Sequence, residues 1–466
     1  MRTRLFLICV LAGFVILWLP MQLKLFYSNL QSSSKARKDN EVINQKTEFC
    51  SLQRDKDILK PCQNHSNYSE ESKTLANYSL VKVHPIKNDG AKPLRIEIQT
   101  FDLNKNPKTL GGDYWLGFLE IKTMKYALRF IDYGNGRYIA YFRPHLAGSY
   151  TLHLTLEHSL CDGLLDPPSN WFQLGDSHGR YQNEDGFKIS DTLLTEAIQP
   201  INFEVPSSEI KNRKANLKCQ RENCILNTNH GYWSGKNFID LATGRPVTEF
   251  VSRKLKRKLK SFAAFGDSLT YRFYGLIKEK CLKLFYFCNP VYTWSYKVKK
   301  KELKNKIIYD GLDFDESRFL GEIHAAMKGK TVFLINFGLH HVSTLPMERC
   351  FKLFQQFIKL VKIKRKKGIG PLVIWKTTTP PFLENRQDKT KNADWHHYRT
   401  KQRIEVWNSY TIEECCKAGI DVLDVYEMAL SSPKKTLDGV HYPNTVFESA
   451  ENDLLNFIFK KFRSKL

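Results

Sequence analysis

Two short segments of this chain carry the side chains that acyl-ester chemistry needs. Phe265-Gly266-Asp267-Ser268 closes a short apolar run, and Asp438-Gly439-Val440-His441 follows about 170 residues later. A serine hydroxyl on a sharp strand-to-helix turn can attack a carbonyl once an imidazole takes its proton, and a carboxylate three residues before that imidazole can orient it and stabilise its charged form. Ser268 is then the nucleophile, His441 the general base and Asp438 the orienting acid, with Gly266 and Asp267 forming the turn that exposes the hydroxyl. Gly-Asp-Ser alone is a weak signal. A second copy, Gly175-Asp176-Ser177-His178, follows Trp171-Phe172-Gln173-Leu174, which is too short and mixed for a buried strand, and it reads as a loop.

The elements that must position the first copy are legible as an alternation. Strands are expected at 261–265, 331–337, 371–377 and 422–425, and helices at 271–284, 347–364, 400–416 and 445–462. Such βα repetition implies a mainly parallel sheet covered by helices, with its site at the carboxyl ends of the strands, where Ser268, Asn336, Gly338 and Thr377 fall. Residues 92–205 read differently. Segments 94–101 and 149–157 alternate apolar and polar residues, and 126–131 and 138–142 flank a Gly134-Asn135-Gly136 turn, which predicts a β-sandwich of immunoglobulin-like size. Residues 28–91, rich in Ser, Asn, Lys and Glu, read as a stem, and 206–260 as a disulfide-containing linker before the domain at 261–466.

Compartment follows from the first 27 residues. Two arginines in the opening MRTR precede the uninterrupted apolar run 5–19, and 21–27 extends it with only Gln22 and Lys24 as polar breaks. With no small-x-small cleavage site after it, this reads as a type II signal anchor in preference to a cleaved signal peptide. Either places the rest of the chain in the secretory pathway, in the Golgi lumen or outside the cell. The sequons at Asn64, Asn67 and Asn77 agree, as do ten cysteines beyond Cys9, an even number suited to disulfides in an oxidising lumen. No histidine pair near Cys219 and Cys224 or Cys281 and Cys288 has zinc-site spacing, so a metal is not expected.

The formal charge of +24, from 72 Lys and Arg against 48 Asp and Glu, would attract polyanions. It is concentrated at 253–260, 297–306 and 362–367. In a lumen the partner is an acidic glycan or a glycoprotein rather than nucleic acid, and the membrane is met only through the N-terminal anchor. Trp233, Trp375, Trp395 and Trp407 read as packing residues before sugar-stacking ones. The segment Asp394-Trp395-His396-His397-Tyr398 reads as a polar loop.

The chain resembles the neurexophilin and PC-esterase domain family. Gly111-Gly112-Asp113-Tyr114-Trp115 and Asp132-Tyr133-Gly134-Asn135-Gly136-Arg137-Tyr138 are similar to the neurexophilin-like module, and Gly266-Asp267-Ser268 with Asp438-x-x-His441 to the ends of the PC-esterase module. The resemblance implies an SGNH or GDSL-type fold and ester chemistry on glycan hydroxyls. The leading expectation is an O-acetyltransferase acting on sialic acid or a similar sugar through an acyl-serine, with acetyl-CoA or an equivalent acyl donor as co-substrate and no bound cofactor. The alternatives are a glycan O-acetyl esterase and a secreted binding protein with a degenerate esterase fold. Carried onto this sequence, the oxyanion donors are the backbone N–H of Ser268 and one in Phe337-Gly338-Leu339-His340, with His340 as the polar residue after the glycine. Many PC-esterase relatives carry Arg three residues after the serine. Tyr271 stands there instead and Arg272 follows it, a rotation of about 100° on a helix.

Overall fold

The computed structural model describes residues 62, 69–85, 94–142, 144–167, 194–207, 224–226, 231–240, 245–246, 249–250, 257–293, 314–368, 370–382, 398–434, 436 and 438–465. The leader, Asn64, Asn67, the Gly-Asp-Ser copy at 175–177, Trp395 and the basic run at 297–306 lie outside them.

The first half forms two antiparallel sheets. β1 (Leu80–Pro85), β2 (Leu94–Gln99), β5 (Ile131–Asp132) and β6 (Arg137–Phe142) make one, in the order β1-β2-β6-β5. β3 (Tyr114–Ile121), β4 (Met124–Leu128), β7 (Gly148–His158), β8 (Glu196–Ala197), β9 (Ile201–Val205), β10 (Gly231–Ser234), β11 (Asn237–Asp240) and β12 (Arg245–Pro246) make the other, with β3 and β7 at its centre. The period of two explains the pairing: Leu94, Ile96 and Ile98 turn inward from β2 and meet Leu119, Leu152 and Leu154 of the second sheet in one core. A Cys62–Cys161 disulfide closes this module.

Its limits differ from the sequence reading at both ends. β1 lies inside the segment expected to be stem, because Val81 and Val83 alternate onto the core while Leu80 to Pro85 pair with β2. β10 to β12 lie inside the segment expected to be linker, and β10 joins the sheet through Trp233 opposite Lys125. A short alternating run in polar surroundings acquires its strand only from the neighbour it pairs with.

The second half is α/β. β13 (Leu259–Gly266), β14 (Phe285–Tyr292), β15 (Val332–Ile335), β16 (Leu372–Lys376) and β17 (Asp421–Leu423) are all parallel, in the order β14-β13-β15-β16-β17. β15 is buried along its whole length, as a strand covered on both faces must be. Phe262, Ala264, Leu334 and Ile374 pack on one face against the helices Ser268–Leu284 and Glu448–Lys461. On the other face Phe265, Phe333 and Trp375 meet Phe319, Phe354 and Trp407, from the helices Glu316–Met327, Met347–Lys366 and Lys401–Lys417. Strand order reverses between β13 and β15, and in such sheets the crevice beyond the carboxyl ends at that reversal is where ligands bind.

Buried polar groups join the halves. Arg403, fully buried, donates to the carbonyls of Leu164, Leu165, Val342 and Leu345 and to the Asp166 carboxylate. Lys401 Nζ lies 2.6 Å from Glu157 Oε1, and Tyr114 donates to Glu405 at 2.9 Å. Cys224–Cys416 adds a covalent tie, so Cys224 pairs far along the chain rather than with its neighbour Cys219. Of the cysteines expected to pair, Cys350 and Cys415 are free and buried.

Candidate active site

Ser268 owes its position to two neighbours. β13 ends at Gly266, where an added Cβ would stand 2.4 Å from the Asn336 carbonyl oxygen and 2.5 Å from Thr270 Oγ1, so no larger residue fits without backbone movement. Asp267 then caps the helix Ser268–Leu284, its carboxylate accepting the Leu269 N–H at 3.0 Å. Ser268 is the first residue of that helix and is half-buried, its hydroxyl at the carboxyl end of β13.

The C-terminal segment brings the other two groups to it. One carboxylate oxygen of Asp438 accepts the backbone N–H of Val440 at 3.1 Å and of His441 at 2.8 Å, which folds its own turn. Gly439 supplies the left-handed backbone of that turn with φ of 84°, and its carbonyl accepts the Phe382 N–H at 2.7 Å. The second carboxylate oxygen lies 2.6 Å from His441 Nδ1, and His441 Nε2 lies 2.7 Å from Ser268 Oγ. Nδ1–H donated to Asp438 leaves Nε2 with its lone pair toward the serine hydroxyl, the tautomer a general base requires. Burial pushes the Asp438 carboxyl up, but the hydrogen bonds from the ring and backbone of His441 outweigh it and hold the group below its usual range, so it stays ionised.

Two buried cations stand by this site, and sequence reasoning named neither. Lys376 ends β16; burial pulls its ammonium down to about 8, against the opposing charge of Asp267. Arg399, also buried, is pulled down to about 10 by burial, against the charges of Asp267 and Asp438. Asp267 is itself raised by burial and drawn back by Lys376 and by the N–H groups of Leu269 and Thr270. A lysine closing an apolar parallel strand was the available signal for Lys376. Arg399 follows a segment read as a polar loop and carried none.

The other predicted positions divide. Gly338 follows β15, and an added Cβ would meet Trp407 Nε1 at 2.3 Å and Thr378 Oγ1 at 2.6 Å; the glycine opens the short helix Leu339–Thr344. Asn336 fixes this loop by donating to the Lys376 carbonyl at 2.8 Å and to Thr378 Oγ1 at 3.1 Å. His340 is buried in the short helix. His341 is a core residue among Phe314, Phe319 and Phe337, and burial depresses its imidazole to about 3. Arg272 is exposed on the helix Ser268–Leu284, four residues after the nucleophile. Thr377 is tied to Asp424 at 2.8 Å below the site. Trp233, Trp375 and Trp407 are buried in packing. Asn77 is exposed in the 3-10 turn Ala76–Tyr78, where an oligosaccharide could be attached.

No family model and no curated protein sequence matches this chain. Among solved structures, a carbohydrate acetylesterase family member from Sinorhizobium meliloti aligns at 13% identity over 43% of this chain and 98% of its own, with a TM-score of 0.31. Est24, a carbohydrate acetylesterase from the same organism, aligns at 12% identity over 44% and 100%, with a TM-score of 0.32. An inhibitor-bound M. smegmatis aryl esterase gives 12%, 44%, 100% and 0.30 in the same terms. Likeness at this level leaves the chemistry to be argued from the side chains.

Proposed function

We propose that this protein is an acyl-ester enzyme of the SGNH type that transfers acetyl groups to glycan hydroxyls in the secretory pathway. The observation that carries the reading is the continuous relay from Asp438 through His441 to Ser268, at the carboxyl end of β13 beside the strand-order reversal.

The chemistry balances in two steps. Ser268 Oγ adds to the acyl carbonyl as its proton passes to His441 Nε2; the tetrahedral intermediate collapses, and the leaving group takes that proton. An incoming hydroxyl then gives its proton to Nε2 and attacks the acyl-serine, and Ser268 recovers the proton as the new ester departs. Asp438, ionised throughout, stabilises the imidazolium in both halves. The oxyanion donors would be the N–H of Ser268, which opens a helix and has no partner in the preceding turn, and that of Gly338.

Resemblance to the neurexophilin and PC-esterase domain family favours a sugar hydroxyl as acceptor, and the +24 charge favours an acidic one, such as a sialylated glycan. The donor would be acetyl-CoA or an equivalent thioester or ester. The half-exposed Ser268 favours a second reading in which water is the acceptor and the enzyme removes acetyl groups. The two-sheet module would be the neurexophilin-like, immunoglobulin-related part.

A fluorophosphonate probe followed by peptide mass spectrometry tests the site: the adduct is expected on Ser268, and an enzyme left unlabelled overturns the reading. Glycan mass spectrometry of cells with and without the protein separates transfer, which adds acetyl, from hydrolysis, which removes it.

A further inference from the structure

Two exposed tyrosines flank the nucleophile on the β14 side. Tyr271 lies three residues after Ser268, one turn along the same helix and on the same face, and is 52% exposed. Tyr292 ends β14, pairs in register with Gly266 of the nucleophile turn, and is 39% exposed. The next residue, Thr293, donates its N–H to the Gly266 carbonyl at 2.9 Å, so this strand end is fastened to the turn that carries Ser268. The two rings are 5.7 Å apart between centroids with their planes at 88°, and together they form an aromatic corner.

Large aromatic side chains left in water are informative when they cluster beside a reactive group. The corner is also held in place from behind. Tyr274, on the same helix, donates its hydroxyl to the Cys288 carbonyl of β14 at 2.6 Å, and Cys281–Cys288 links the end of the helix to the strand. The remaining exposed aromatics of β14, Tyr286 and Phe287, lie toward the opposite end of the strand, Phe287 in register with Ser261. A pyranose ring presents an apolar face of C–H groups and a rim of hydroxyls. It therefore stacks on an aromatic face while its hydroxyls stay solvated or reach a polar group, and a phenol offers both a ring face and a hydrogen-bonding tip.

We propose that Tyr271 and Tyr292 form the subsite that binds a sugar ring of the glycan substrate next to the ester under attack. The ring stacks on the corner, which directs a neighbouring hydroxyl or its acetyl ester toward Ser268. This rests on the reading of Ser268 as a nucleophile toward acetylated glycans and adds the element that selects a sugar over a generic ester.

The test compares two substrates, an O-acetylated glycoside and p-nitrophenyl acetate, on the full-length protein. In Tyr271→Leu and Tyr292→Leu, kcat/KM for the glycoside relative to p-nitrophenyl acetate is expected to fall roughly ten-fold, chiefly through KM, and Tyr271→Phe and Tyr292→Phe are expected to recover most of it by restoring the ring. A parallel fall for both substrates would mean that the tyrosines only support the nucleophile turn, and an unchanged ratio would mean that no ring stacks there; either overturns the proposal. Should the leucine variants not fold, the phenylalanine pair and saturation-transfer NMR of wild type with the free deacetylated glycoside decide it: strongest transfer to the sugar C–H protons supports stacking, and no transfer refutes it. Ser268→Ala run alongside separates the two failures, since turnover of p-nitrophenyl acetate that survives in that variant sinks the catalytic reading itself.

Discussion

Oγ of Ser268 and Nε2 of His441 lie 2.7 Å apart although 173 positions of sequence separate them. That distance is set at both ends by main-chain fixtures: the Asp267 cap on one side, and on the other the Asp438 carboxylate that folds the turn delivering the imidazole.

Ser268→Ala is expected to lower turnover of p-nitrophenyl acetate by about 10³-fold or more, and Asp438→Asn by about 10² to 10⁴-fold because an amide no longer fixes the productive tautomer. Steady-state kinetics beside circular dichroism of each variant checks this. Asp438→Asn should also lose some stability, since its carboxylate organises the turn.

Much of this arrangement was legible in advance. The tetrapeptide at 265–268 and the Asp438-x-x-His441 spacing stood out because each sits where apolar periodicity changes, and the alternation from 261 onward gave the strands β13, β15, β16 and β17 within a few residues. What was hidden depends on burial and pairing. Arg272, carried over from the family pattern one residue out of place, is exposed four positions after Ser268, whereas Lys376 looked like an ordinary strand end and is buried beside Asp267. β14 was missed because its exposed Tyr286 and Phe287 break the pattern of a covered strand. β1 was missed because its partner β2 lies beyond a polar stretch.

Lys376 gives a pH-dependent prediction with a definite sign. Its folded pKa of about 8 lies below the ordinary 10.5, so between those values the unfolded chain binds the proton and the folded chain does not. Stability of wild type relative to Lys376→Met should therefore rise as pH climbs from 8 to 10.5, by up to about 3 kcal/mol, and stay level below 8. Urea unfolding of both proteins at pH 7, 8, 9 and 10 reads the slope. A flat difference would mean that Lys376 titrates normally.

Gly266→Ala places a methyl group against the Asn336 carbonyl and Thr270. Relief requires β13 and the loop after β15 to separate, which moves Ser268 and Gly338 apart. The expected result is a loss of about 1–3 kcal/mol of stability and a larger proportional loss of kcat than of substrate affinity, measured by thermal unfolding and steady-state kinetics.

The buried Lys401–Glu157 pair joins the two halves, its side chains only 4% and 3% exposed. Lys401→Met or Glu157→Leu alone should cost about 3–5 kcal/mol by leaving one charge buried without its partner, and the double replacement should recover most of that loss. Urea unfolding of the four proteins forms the cycle. Additive single effects would show that the two groups do not act as a pair.

The segment Cys224 to Leu226 lies along the outermost strand of the parallel sheet, with Leu226 donating to the Val422 carbonyl at 2.8 Å, Val422 donating to the Cys224 carbonyl at 2.7 Å, and a disulfide to Cys416 holding it there. A bare outer strand is a template on which a second molecule can grow a shared sheet. Here a segment of the first half, between β9 and β10, occupies that template, so reduction of Cys224–Cys416 would loosen a guard against self-association as well as a structural tie.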